Sequence, residues 1–203
     1  MLIALLVGAI RYSKLSPSSR IFFLLLGITA IKEMLAYYLG LTYRNSSPIS
    51  NPFILFEFVL FSLAFYLDTK LKIFISLLYF LLLFGVVNGI CFQPFLTTQN
   101  TQTHLMASLL MIFSYFLYLV AYFKRVDNFL LRKFPLFWFG LGFMIFSIVS
   151  IVSFGFLEVI SQEEKWRTIV VYLIQYSNYL LYLFFIPAFL SSQKSLYDFY
   201  ASK

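Results

Sequence analysis

Charge is what this sequence has least of. Asp, Glu, Lys and Arg make up 11% of its 203 residues, against about 25% in soluble domains. The polar stretches that remain are loops of roughly ten residues, too short to fold as a soluble domain. Cysteine occurs once, as Cys91, and histidine once, as His104. A lone cysteine cannot close an internal disulfide, and without CxxC or Cys/His spacing neither redox chemistry nor a zinc site is indicated. Cys91 reads as a small packing residue. HExxH, GxSxG and Asp-rich metal motifs are missing, and the aspartates fall outside the apolar runs, so no catalytic residue, metal site or cofactor is assigned. No repeat relates helices one to three with five to seven, which leaves a transporter of duplicated halves unsupported.

What is abundant is apolar length: 62% of residues are hydrophobic, with 27 Phe and 15 Tyr. Runs long enough to cross a hydrocarbon core of about 30 Å recur along the chain. They predict an all-α integral membrane bundle of seven transmembrane helices in a single domain, residues 1–203. The helices are placed at about 1–12, 20–43, 52–67, 71–92, 104–123, 136–159 and 168–190, and the lipid bilayer is the first partner. The first run lacks the basic start and cleavage site of a signal peptide. At about 18 Å it is too short to span, and we read it as a spanning helix whose start lacks some residues, with a half-inserted helix as the alternative. Asn51-Pro52 reads as an N-cap followed by proline at the first helical position.

The net charge of +7 does not point to nucleic acid, because the basic residues sit in short clusters between apolar runs. They mark orientation instead. Arg11, Lys14, Arg20, Lys70, Lys72, Lys124, Arg125, Arg132, Lys133, Lys194 and Lys203 fall on one side, and Arg44, Lys165 and Arg167 on the other. The positive-inside rule puts the C-terminus in the cytoplasm and the N-terminus outside. Trp138 and Trp166 read as interfacial anchors.

Lys32 and Glu33 are the exception to this order, since they stand at the middle of the second run. Each costs about 2.5–3.5 kcal/mol at the centre of a spanning helix on insertion scales, so both need a protein-lined or watery surrounding. On helix five, His104, Ser108, Met111, Tyr115, Tyr118 and Tyr122 share one face. Tyr172, Gln175, Asn178 or Tyr179, and Tyr182 do so on helix seven, and Ser147, Ser150 and Ser153 on helix six. Such stripes should face the bundle. At 1.5 Å per residue from the outer helix ends, Glu57 lies about 8 Å deep, Gln175 about 10 Å, and Glu33 and Asn178 about 15 Å. Asn88 falls in the same half and His104 at its mouth. Lys32, Glu33, Glu57, Asn88, His104, Gln175 and Asn178 therefore predict an outward-facing polar pocket for a small or lipidic molecule. The packing alternatives are a Lys32–carboxylate pair that fixes helix register, a protonated and hydrogen-bonded Glu57, an interfacial His104, and stripes that only join helices.

The order Asn88, Phe92-Gln93-Pro94, His104, Phe137-Trp138 with Gly140 or Gly142, and Asn178 resembles a widespread family of small seven-helix membrane proteins of Bacteroidota whose function is unassigned. The resemblance implies a multi-pass protein of the bacterial inner membrane and supplies no activity. Tyr172 and Gln175 stand where that family carries a tryptophan and a histidine, so no second histidine is there to pair with His104. Helix seven has no lysine, which excludes a retinal Schiff base at the usual helix.

Four functions fit these features. A receptor-like protein would bind a molecule in the pocket and pass a helix shift to a cytoplasmic or membrane partner docked near Lys124–Lys133. An enzyme on a lipid or apolar metabolite would use Glu57 and Glu33 as acid and base, with His104 as proton carrier. A carrier would use Lys32, Glu33 and Glu57 as a relay. An assembly subunit would use the stripes as glue.

Overall fold

A computed structural model describes residues 1–94, 96, 100–124, 131–160 and 164–191. Among the described residues the secondary structure is helical: α1 (Leu2–Ile10), α2 (Pro17–Tyr43), α3 (Ser47–Thr69), α4 (Ile73–Cys91), α5 (Thr101–Phe123), α6 (Pro135–Ile160) and α7 (Glu164–Leu190), with short 3-10 turns at Tyr12–Lys14 and Leu131–Lys133. Six of them, α2 to α7, are long and apolar enough to cross a membrane, which makes this a multi-pass helical membrane protein. α1 is not among the six: its nine residues rise only about 14 Å. Arg125, Lys194, Lys203 and positions 161–163 of the acidic loop lie outside the described residues.

Several helix starts differ from expectation, and at α2 and α5 a side-chain cap is the reason. α2 begins at Pro17 because Ser16 accepts a hydrogen bond from the Ser19 backbone N–H at 3.3 Å, and proline is at home where no N–H is needed. α3 begins at Ser47, with Pro48 in its first turn and Pro52 inside the helix. Asn51 is therefore not a cap; it is fully buried, and its Oδ1 accepts from the Asn100 N–H at 3.0 Å. α5 begins at Thr101, capped by Asn100, whose side chain accepts from the Thr103 N–H at 3.2 Å. That start moves His104 off the helix mouth and into the first turn.

The helices run up and down, so α2, α4 and α6 end where α3, α5 and α7 begin. Inside-out patterning orients them: on α5, Ser108, Met111, Tyr115, Tyr118 and Tyr122 are buried, while Leu109, Phe113, Phe116, Val120 and Phe123 are about half exposed or more. Lipid is as apolar as these side chains, so burial goes to the groups that gain packing or polar contacts inside. Glycines set the closest approaches. A Cβ on Gly140 of α6 would lie 2.2 Å from the Tyr115 ring of α5, and one on Gly142 would lie 2.9 Å from Phe184 Cβ of α7. A Cβ on Gly8 would meet both Phe23 and Phe189, at 2.5 and 3.1 Å, so α1 is wedged between α2 and α7. Its end is tied down by Arg11, which donates to the Leu190 carbonyl at 2.9 Å.

The centre of the bundle is aromatic. Phe22 of α2 stacks on Phe139 at 4.2 Å and meets Phe61, Phe65, Phe143 and Phe185 at 5.8–6.5 Å between ring centroids. These rings come from α2, α3, α6 and α7 and are essentially inaccessible. Aromatic pairs of this kind add about 0.5–1.5 kcal/mol each beyond burial. They form a floor beneath the cavity described next.

Candidate functional site: a polar cavity between the helices

Above that floor lies a cavity of about 190 Å³ lined by residues of five helices. α2 contributes Thr29, Lys32 and Glu33; α3 contributes Ser50, Phe53 and Glu57; α5 contributes His104, Ser108 and Met111; α6 contributes Phe143, Phe146, Ser150 and Phe154; and α7 contributes Asn178, Tyr182 and Phe185. Helical spacing explains the cluster. Positions 29, 32 and 33 share one face of α2, and 50, 53 and 57 share one face of α3.

Lys32 Nζ lies 2.9 Å from Glu33 Oε1 and 5.3 Å from the centroid of the Phe53 ring. Its side chain is 20% exposed against 49% for Glu33, which puts the carboxylate at the rim and the ammonium inside. Glu57 is partly buried and interacts electrostatically with both. It has neither a hydrogen bond nor an ion pair among the described residues, so its carboxyl group faces the cavity unpaired. His104 packs its ring 5.3 Å from Phe154. Its buried Nε2 has no hydrogen-bond partner among the described residues, and neither does the Ser150 hydroxyl. The chamber thus offers uncommitted donors and acceptors beside apolar walls, the composition of a small-molecule site.

Five of the seven residues expected to form a pocket, Lys32, Glu33, Glu57, His104 and Asn178, meet in this cavity. Asn88 does not. It is buried at the end of α4, where its Nδ2 donates to Asn100 Oδ1, to Thr103 Oγ1 at 3.1 Å and to Gln93 Oε1 at 3.4 Å. Gln93 in turn donates to Thr101 Oγ1 and accepts from the Gln102 N–H, both at 3.1 Å, so Asn88 is the hub of a knot that holds the turn into α5. Gln175 also lies elsewhere: it is exposed, and its Nε2 donates only along its own helix, to Tyr179 OH at 3.0 Å. Tyr172, Tyr176 and Tyr179 share that outer face. Of the helix-seven stripe, only Asn178 and Tyr182 line the cavity.

The serines of α6 are buried as expected, yet Ser147 donates only to Met111 Sδ at 3.7 Å, and the Ser150 and Ser153 hydroxyls have no partner among the described residues. Small size, more than interhelical hydrogen bonding, is their packing role. Sequence reading missed Thr29 and Ser50 as lining residues; Ser50 stands seven positions before Glu57, a signal hidden by placing the helix start at Pro52. It also missed a second buried polar cluster at the opposite end. There Asp68, the last acidic residue of α3, is 2% exposed and accepts from Ser18 Oγ at 3.3 Å, and Ser18 contacts Ser16 at 3.0 Å.

Fold and site define a class: a multi-pass helical membrane protein that keeps a polar chamber among its helices. Comparison of the chain with protein-family models, curated proteins and solved structures finds no match to any of them.

Proposed function

We propose that the chain is a receptor-like protein of a bacterial inner membrane, binding a small or lipidic molecule in an outward-facing polar pocket and passing a helix shift to a cytoplasmic or membrane partner. The observation that carries the reading is the cavity itself, where Lys32, Glu33, Glu57, His104 and Asn178 converge with unpaired polar atoms. Polar and ionisable groups at membrane depth are costly and usually functional. The basic clusters support the orientation: Arg11, Lys14, Arg20, Lys70, Lys72, Lys124, Arg132 and Lys133 flank the end opposite the cavity, as the positive-inside rule expects of a cytoplasmic end. In this reading α1 completes a set of seven membrane helices with the N-terminus outside, and the bacterial setting carries forward the resemblance read from the sequence motifs. A partner would dock on the basic cytoplasmic end near Lys124–Lys133.

The test is native mass spectrometry of protein extracted gently from its own membrane, comparing wild type with Glu33→Gln and Glu57→Gln. A defined small mass on the wild type that is lost in either variant is expected. Heterogeneous bulk lipid alone, equal in all three, would refute the pocket reading and favour an assembly role. One observation keeps an enzyme reading in view: Glu57 and His104 share the cavity with free proton-accepting atoms, as a general acid–base pair requires. That reading fails when Glu57→Gln leaves a lipid and metabolite profile that gene deletion changes.

A further inference from the structure

We infer that the occupant of the cavity is a small organic monocation, an amine on a one-ring-sized apolar body, with its ammonium group at Glu57. The inference rests on the pocket reading above and names the ligand class. Charge points the same way. The lining carries one ammonium, Lys32, and two carboxylates, Glu33 and Glu57. Lys32 is already engaged by Glu33 at 2.9 Å and by the Phe53 ring. Glu57 is the carboxyl group left without a hydrogen bond or ion pair among the described residues, and a cation carrying hydrogen-bond donors is the guest that would stabilise its ionised form.

The walls match such a guest. Phe143, Phe154 and Tyr182 line the chamber beside Phe53, which already carries Lys32, and an aromatic face attracts an ammonium by about 0.5 to 2 kcal/mol depending on desolvation. The unpartnered Ser150 hydroxyl and the Asn178 amide can accept from its remaining N–H groups. An anion would meet two carboxylates and a lysine that already has its partner, and a neutral guest would bring Glu57 no opposite charge. Size sets the rest. The cavity of about 190 Å³ is below the usual 300–1,000 Å³ of drug-sized pockets and somewhat above the roughly 150 Å³ that holds benzene. One ring and a short aminoalkyl arm fill it.

The experiment uses three probes of one skeleton: 2-phenylethylamine, 2-phenylethanol and 3-phenylpropionate. Each is titrated calorimetrically into the full chain in phosphatidylcholine nanodiscs, with empty nanodiscs subtracted. The wild type should take the amine about tenfold or more tighter than the alcohol or the acid, the worth of one charge-assisted hydrogen bond. Glu57→Gln, which keeps shape and removes charge, should erase that preference while leaving the alcohol unchanged, and Ser150→Phe should empty the chamber of every probe. Thermal unfolding of each variant checks that it is folded. If the alcohol or the acid binds the wild type as tightly as the amine, and Ser150→Phe abolishes it, the cation is refuted while the pocket stands. Amine binding indifferent to Glu57→Gln also overturns the inference, as does no binding of the amine to the wild type; the pocket reading is then decided separately by the native mass measurement.

Discussion

Replacing Gly140 with alanine tests the geometry on which the cavity floor depends. The new methyl group would start 2.2 Å from Tyr115 Cδ2 and 2.6 Å from Cε2, over 1 Å inside ordinary contact between carbons. Tyr115 is a poor candidate to yield. Its ring is 2% exposed and lies near Tyr118 and Phe137 at centroid distances of 6.3 and 6.5 Å. Forcing an extra methyl into a packed interior costs about 1–3 kcal/mol, and separating α5 from α6 to avoid the clash would forfeit the contacts that hold Ser147 against Met111. Against this, alanine gains about 1 kcal/mol over glycine as a helix former. A net loss of up to about 2 kcal/mol is expected from these terms. Gly27 provides the control, because nothing lies within 4 Å of a Cβ placed there, so Gly27→Ala carries only the helix-forming gain. Thermal unfolding in a fixed detergent, followed by fluorescence-detected size exclusion, should lower Tm for Gly140→Ala and leave it unchanged or raised for Gly27→Ala. Equal Tm values for the two variants would refute the close approach of α5 and α6.

Other outcomes follow from single contacts. Phe22→Ala, which removes the ring shared by four helices, should cost about 3–5 kcal/mol, seen as a large drop in Tm; a drop no greater than that of an exposed Phe123→Ala would contradict the hub. Asn88→Ala should cost about 1–3 kcal/mol by stranding buried partners and yet spare any ligand carried by the cavity, so lost ligand with unchanged Tm would return Asn88 to the site. Gln175→Leu should leave stability within about 0.5 kcal/mol and ligand retention untouched; lost retention, read by native mass, would place its amide in the binding path.

Height in the membrane was legible from sequence and direction around each helix was not. A fixed rise per residue puts Glu57, Glu33, Asn178 and Gln175 in one half by their chain positions alone. Whether a side chain at that height meets the chamber depends on which helices flank its own, which composition does not encode. Asn178 and Gln175 are three residues apart on α7, yet one lines the cavity and the other is exposed. For α5 the stripe was readable because its polar and apolar faces differ sharply. Asn88 failed for another reason: an asparagine near a helix end serves a turn as readily as a pocket, and its partners Asn100 and Thr103 belong to a cap that was placed one turn too late. α1 was read at nearly its observed extent, and its wedge between α2 and α7 depends on Gly8, a residue that gives no signal until its neighbours are known.

The rings around Phe22 also bear on what can pass through the protein. They separate two polar regions, the chamber with Glu57 above and the Ser16–Ser18–Asp68 cluster below. Along α2, Phe22, Leu25 and Leu26 follow Ser19 and offer no hydrogen-bonding side chain. In electrical terms the rings are a low-dielectric layer between two polar clusters. A proton or ion crossing beside α2 would meet only these rings and leucines, whereas the buried hydroxyls of Ser62, Ser114 and Tyr118 are the polar groups that α3 and α5 place beside the stack.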